Sequence, residues 1–224
     1  MGEHWVGYLG NFHVHWDTLI TMWFTMAVVI IISFFMTRNL EIIPKKMQAL
    51  AESIIKFFLG SLNEVKDGSK HVPIVASLFL FIVTANLMGQ LPLRLIRLKQ
   101  GELASPTNDI NLTAALAVIV LIYYLFQGIK EKGIHCIYHG FSITGVITTL
   151  VDLLEMITRP LSLALRLFAN ILAGEILVSV MLSLCAVIAP IPVMLFEIFV
   201  AFIQAFVFMM LTIAYITSAV SNEH

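Results

Sequence analysis

Apolar positions run through this chain in long blocks, not in the short alternations of a soluble fold. Leu19 to Met36 is uninterrupted by any charge and, at about 1.5 Å per residue, is long enough to cross a hydrocarbon core of about 30 Å. Val72 to Leu91 and Ile110 to Phe126 form two further spans, separated by the polar stretch RLIRLKQGELASPTNDIN, which is rich in turn and cap residues. Between the first two spans the period changes. After Pro44, the apolar residues Met47, Leu50, Ile54, Phe57, Phe58 and Leu62 recur at helical spacing, while Lys45, Glu52 and Lys56 share another side. This pattern predicts an amphipathic helix over 44–66 lying on a membrane surface.

From Ile143 to Ile188 the helical pattern continues without a convincing turn, a length of roughly 65–70 Å, about twice the bilayer core. Dividing it at Arg159-Pro160 would leave Asp152 and Glu155 inside a short first pass, so a single helix, steeply tilted or nearly parallel to the membrane, is the better reading. The two prolines of APIP, residues 189–192, then make a turn, and a second long helix covers 193–218. The expectation is one domain, an all-α integral membrane protein with five spanning helices, the last two long and tilted, and one interfacial helix.

Charge orients these elements. Arg38, Lys45 and Lys46 follow the first span, whereas only Glu3 and Asp17 are charged before it, so the positive-inside rule places residues 1–18 outside and the C-terminus inside. Arg94, Arg97 and Lys99 oppose that assignment; Lys56, Lys66, Lys70, Lys130 and Lys132 support it. With no Lys or Arg before Arg38, the n-region of a cleavable signal peptide is missing, and the first apolar segment is expected to remain. The composition agrees: 59% hydrophobic and 12% charged, against about 25% charged in ordinary soluble domains. A net charge of −1 gives no reason to expect a nucleic-acid partner. Cys136 and Cys185 lie far apart without metal-type spacing and read as buried apolar residues. His135 and His139 are one turn apart, but Cys136 stands where a zincin needs Glu. No metal, cofactor or nucleophile–base set is predicted, which argues against an intramembrane hydrolase.

The candidate chemistry lies in Thr158 to Met181, which holds Arg159, Arg166 and Glu175 in an apolar setting. An arginine stays protonated in essentially any protein environment, and at mid-bilayer it costs about 2.5–3.5 kcal/mol on insertion scales. Arg159, toward the inner end, can snorkel or meet Asp152 or Glu155. Arg166 has a less easy escape, and it shares a face with Ser162, Ala169, Asn170 and Ala173, small neighbours that let another helix come close. Pairing within its own chain is one outcome; service in transport is the other. Glu175, nine residues on, is half a turn out of phase with Arg166, so the helix shows a cation to one side and a carboxylate to another. Glu197 and Gln204 are seven apart and share a face with Ala201 between them. Glu175 precedes the proline turn and Glu197 follows it, so the two carboxyls could meet and share a proton. Asp109 caps the following helix or lies at an external mouth.

Together, RPLSLALRLFANILAGE, FEIFVAFIQAFVFMMLTIAYI and GELASPTNDIN resemble subunit a of the rotary, F-type ATP synthase membrane sector, over nearly the whole chain from Asn11 onward. The Arg166–Asn170–Glu175 spacing combined with Gln204 is its specific part. The resemblance implies a non-catalytic, ion-translocating stator with two offset half-channels. Its partners would be a ring of c subunits, b-type peripheral-stalk subunits, the other synthase subunits and membrane lipid, in an energy-coupling membrane of the bacterial plasma (inner) membrane kind. Arg166 would be the stator arginine facing the ring carboxylates. Glu175, Asn170, Gln204 and the residue at 197 would line the outer half-channel, with Asp109 beside it. Asp152, Glu155 and Arg159 would belong to the inner half-channel or its mouth. Members carry His or Gly at the position of Glu197, so a relay through histidine does not transfer. The rival class is a stand-alone ion-coupled secondary transporter with Arg166 binding an anion; such folds show inverted repeats, and none is visible.

Overall fold

A computed structural model describes residues 6–9, 12–38, 41, 44, 46–63, 65, 67–90, 97–98, 101–102, 106–133, 143–184 and 190–220. Six α-helices make the body: α1 (Trp16–Thr37), α2 (Lys46–Ser61), α3 (Val72–Gln90), α4 (Ile110–Lys132), α5 (Ile143–Leu184) and α6 (Pro190–Val220). Among the described residues, five of these helices, all but α2, are long and apolar enough to cross a membrane. The chain is an all-α, multi-pass membrane protein.

The helix expected over 44–66 is shorter, Lys46–Ser61, and the last one starts earlier, at Pro190; two further details differ from the pattern-based reading. The polar connections carry short antiparallel hairpins, β1 (Val6–Leu9) with β2 (Phe12–His15) and β3 (Arg97–Leu98) with β4 (Gly101–Glu102). The first helix also begins at Trp16, so Asp17 and Thr18, assigned to the external N-terminus, lie in its first turn and are buried. Hydrogen bonding explains why polar residues are tolerated there. Thr21 Oγ1 donates to the Asp17 carbonyl at 2.9 Å and Thr25 Oγ1 to the Thr21 carbonyl at 2.8 Å, so these hydroxyls are satisfied within the helix.

The core gathers where α3, α4 and α6 meet, around Val75, Ile82, Val120, Phe208 and Ile216, with Phe58 and Leu62 inserted from the side. Leu62 directly follows α2, and the turn into α3 runs so close that a Cβ at Gly68 would lie 2.1 Å from the Leu62 carbonyl oxygen; only glycine fits. At the far end of α4, Gly133 takes φ +66° and its N–H bonds the Ile129 carbonyl, a left-handed stop that a side chain would strain. The apolar stretches of α1 and α5 are only 11% and 12% buried, against 33–39% for the other three, so both keep faces that the chain itself does not cover.

Cross-helix contacts fix which ends lie together. Thr18 of α1 meets Asp109 at the start of α4, and Gly174 near the end of α5 meets Glu197 near the start of α6; this is the hairpin end. Arg159 of α5 meets Ser218 of α6, and His71, just before α3, bonds Tyr123 of α4; this is the opposite end.

Candidate functional site

The long helix α5 sorts its residues by face. Leu163, Ala164, Leu167 and Ile171 are buried, whereas Ser162, Leu165, Arg166, Ala169 and Ala173 are exposed. The buried set recurs at three- and four-residue steps, as an inward stripe must. Arg166 therefore stands on the outer stripe between small residues, and it has no ion pair or hydrogen bond among the described residues. The pairing of Arg166 with Glu155 or Asp152, considered from the sequence, does not occur among them.

Glu155 is taken by another cation. It forms a hydrogen-bonded ion pair with Arg159 one turn later on α5. The Arg159 guanidinium also lies 5.2 Å from the centre of the Tyr215 ring, and its Nη2 is 3.5 Å from Ser218 Oγ. Arg159 thus bonds across α5 and α6 instead of only reaching for headgroups. Asp152, on the same stretch of α5, is half-buried.

On α6, Glu197, Ala201 and Gln204 are all buried, so the seven-residue spacing turns this polar stripe inward. The Glu197 carboxyl lies against the backbone of α5 at Gly174, where an added Cβ would be 2.8 Å from Glu197 Oε1 and 3.1 Å from Cδ. Glu175 follows directly, on the hairpin end of α5; its side chain lies outside the described residues, as do His135, His139, Cys136 and Cys185. From α3, fully buried Asn86 donates through Nδ2 to the Ala201 carbonyl at 3.4 Å. Its Oδ1 and the Nε2 of Gln204 have no hydrogen-bond partner among the described residues. Asn170 is half-buried on α5.

Asp109 is the N-cap of α4. Its Oδ1 accepts from the Asn111 N–H and Nδ2, both at 2.9 Å, and its Oδ2 accepts from Thr18 Oγ1 at 3.1 Å. A carboxylate suits this position because unpaired N–H groups and the positive end of the helix dipole converge on it. Capping, one of its two readings, is therefore realised, and Asp109 also ties α4 to α1.

Three pairings thus emerge: Glu197 with the Gly174 backbone, Glu155 with Arg159, and Asp109 with Thr18. Sequence reasoning passed over Asn86, Gly174 and Tyr215. Asn86 carried a usable signal, a lone amide in an apolar span where an unsatisfied polar group is costly. Gly174 and Tyr215 carried none, since their roles arise only when α6 folds back on α5.

The description ATP synthase A chain belongs to a family model that matches residues 19–217. The chain is 41% identical over 227 residues to an ATP synthase subunit a of Gloeobacter violaceus, covering 100% of this chain and 91% of the relative. It is also 41% identical over 231 residues to a chloroplastic ATP synthase subunit a of Bigelowiella natans, covering 100% of this chain and 94% of that one.

Proposed function

The chain belongs to the ATP synthase A chain family, whose members are non-catalytic membrane subunits, and from that premise we propose that it is the ion-translocating stator in which Arg166 separates two half-channels. The observation that carries this reading is the placement of Arg166, exposed on the open side of α5 with no partner among the described residues. A permanent charge so placed is supported by an anion from another protein, and in this family that protein is the ring of c subunits, each bringing a carboxylate.

Protons enter from the hairpin side, which faces outward by the positive-inside rule. Buried Glu197, held against α5 beside Glu175, passes them toward Asn170 and Gln204. Asn86 Oδ1 and Gln204 Nε2, without a hydrogen-bond partner among the described residues, supply an acceptor and a donor along that route. A ring carboxyl protonated there travels through lipid as a neutral group. On reaching Arg166 its anion is favoured over the acid, because an opposite charge in a medium of low dielectric stabilises the ionised form. The proton leaves on the inner side, near Asp152 and Glu155. The contact must remain transient, and it does, because the desolvation of two ions offsets much of their attraction. Asp109 borders the outer path while capping α4. The b-type stalk subunits and lipid cover the remaining open faces. The setting is an energy-coupling membrane, here proposed to be a bacterial plasma membrane.

In assembled complexes Arg166→Ala is expected to abolish coupled ATP synthesis, and full synthesis with tight coupling would refute the role. Glu175→Gln is expected to slow proton uptake, and unchanged proton conductance would count against the outer path.

A further inference from the structure

We propose that Arg159 is a positioning residue: gripped between Glu155 and the Tyr215 ring, it holds the inner part of α5 in line with the packed outer part and so steadies the rotation that presents Arg166 on the open side. The inference rests on the reading that Arg166 faces the ring.

The need for such a grip follows from the backbone. Pro160 lies inside α5 and has no N–H for the Met156 carbonyl, so the helical hydrogen-bond ladder is interrupted at the level of Arg159. Core packing does not compensate. None of the α5 residues before Pro160 whose side chains are described is fully buried, whereas Leu163, Ala164, Leu167 and Ile171 beyond it are. Among its described side chains, the inner two fifths of the helix therefore lacks the apolar anchorage that holds the remainder.

Arg159 supplies an anchor of another kind. Its guanidinium lies 5.2 Å from the Tyr215 ring centre, a distance at which a cation is attracted to the π face. Tyr215 in turn packs on Tyr124 of α4 at 6.0 Å between ring centres, and Tyr124 is only 4% exposed. The contact thus runs from α5 through α6 into the buried face of α4.

Arg159 and Arg166 are seven residues apart, so their angular settings differ by only about 20°. Although Pro160 removes one bond of the ladder, α5 stays a single helix through it, so a turn of the inner segment at Arg159 is carried along the backbone toward Arg166. The ion pair adds a second effect. Without Glu155, two cations about 10 Å apart along one helix would compete for each arriving carboxylate; with Arg159 compensated, Arg166 alone attracts it.

The test uses intact complexes in membranes. A cysteine beside the ring carboxylate is paired with one at Ala169, on the open side, or at Ala164, on the covered side. In the parent, Ala169→Cys is expected to cross-link and Ala164→Cys not. In Arg159→Gln and in Tyr215→Leu, the Ala169→Cys yield and coupled synthesis are expected to fall roughly 3- to 30-fold, the range of a partly shielded cation–π contact, while Ala164→Cys begins to cross-link. Arg159→Lys and Tyr215→Phe keep the cation and the ring and should retain the parental pattern, which a merely bulk-filling role would not predict. A parental pattern and parental synthesis in Arg159→Gln would overturn the proposal while leaving the ring-facing reading intact. Absence of cross-linking at Ala169→Cys in the parent would overturn the ring-facing reading and the proposal with it. Should Arg159→Gln complexes fail to assemble, Tyr215→Leu, which leaves the charge pair in place, decides by the same criteria.

Discussion

Gly174→Ala perturbs the outer path at a single defined atom. The new methyl would lie 2.8 Å from Glu197 Oε1, 3.1 Å from Cδ and 3.6 Å from Cγ. Ordinary contact begins near 3.4 Å, so the carboxyl must retreat by about 0.6 Å. The displaced atoms are the free end of a flexible side chain, and the stability cost is therefore expected at or below the low end of the roughly 1–3 kcal/mol typical of overpacking. Function is affected more, because a misplacement of about 1 Å in a reacting group costs up to about 100-fold; a loss of roughly tenfold in proton flux is expected for the smaller shift. Flux is measured as ATP-driven acidification of inverted vesicles and as passive proton uptake, with assembly and melting followed in parallel. Gly174→Ala/Glu197→Asp, which withdraws the carboxyl by one methylene, should recover part of the flux. Undiminished flux in Gly174→Ala, or a loss that merely tracks lost complex, would refute the reasoning.

Two further predictions concern the ends of the bundle. Asp109→Ala removes an N-cap worth about 0.5–2 kcal/mol and leaves Thr18 without its 3.1 Å acceptor, so the solubilised complex should melt at a lower temperature; Asp109→Asn, an equally good cap, should melt near the parent, and equal losses in both variants would discount capping. His71, outside the spans, is 4% exposed and 2.8 Å from the Tyr123 hydroxyl. Burial holds its pKa below the usual value, with Lys70 acting in the same direction and Asp67 and Glu131 opposing. The unfolded chain therefore takes up this proton first, near pH 6.5, and stability should decline as pH falls from there toward the lower folded value. His71→Phe should flatten the decline in melting temperature over that range, and an unchanged slope would refute the assignment.

Much of this architecture was legible in the chain because a bilayer leaves a backbone few options. Every amide must be satisfied internally, so an apolar run longer than about 18 residues becomes a helix. The continuity of α5 through Pro160 was readable for the same reason, since a break there would have left Asp152 and Glu155 in a short spanning segment. That Glu197, Ala201 and Gln204 share one face, and Arg166 another with Ser162, Ala169 and Ala173, followed from helical phase alone, an angular property of one element; which face turns inward did not.

Pairing between elements was decided only by the tertiary structure. Glu155 and Arg159 pair locally, one turn apart on α5, but the approach of Tyr215 and Ser218 to the same guanidinium, and the burial of Leu163, Leu167 and Ile171 that leaves Arg166 on the open side, appear only in the folded bundle. Phase also says nothing of what glycine at 174 is for, and that appeared once α6 laid Glu197 against it. The sequence determined which helices form and which residues share a face, because those depend on local geometry and on transfer from water to lipid. Which polar groups meet across helices, and which cation has no partner among the described residues, depends on the packing of distant segments, and the folded bundle alone decided it.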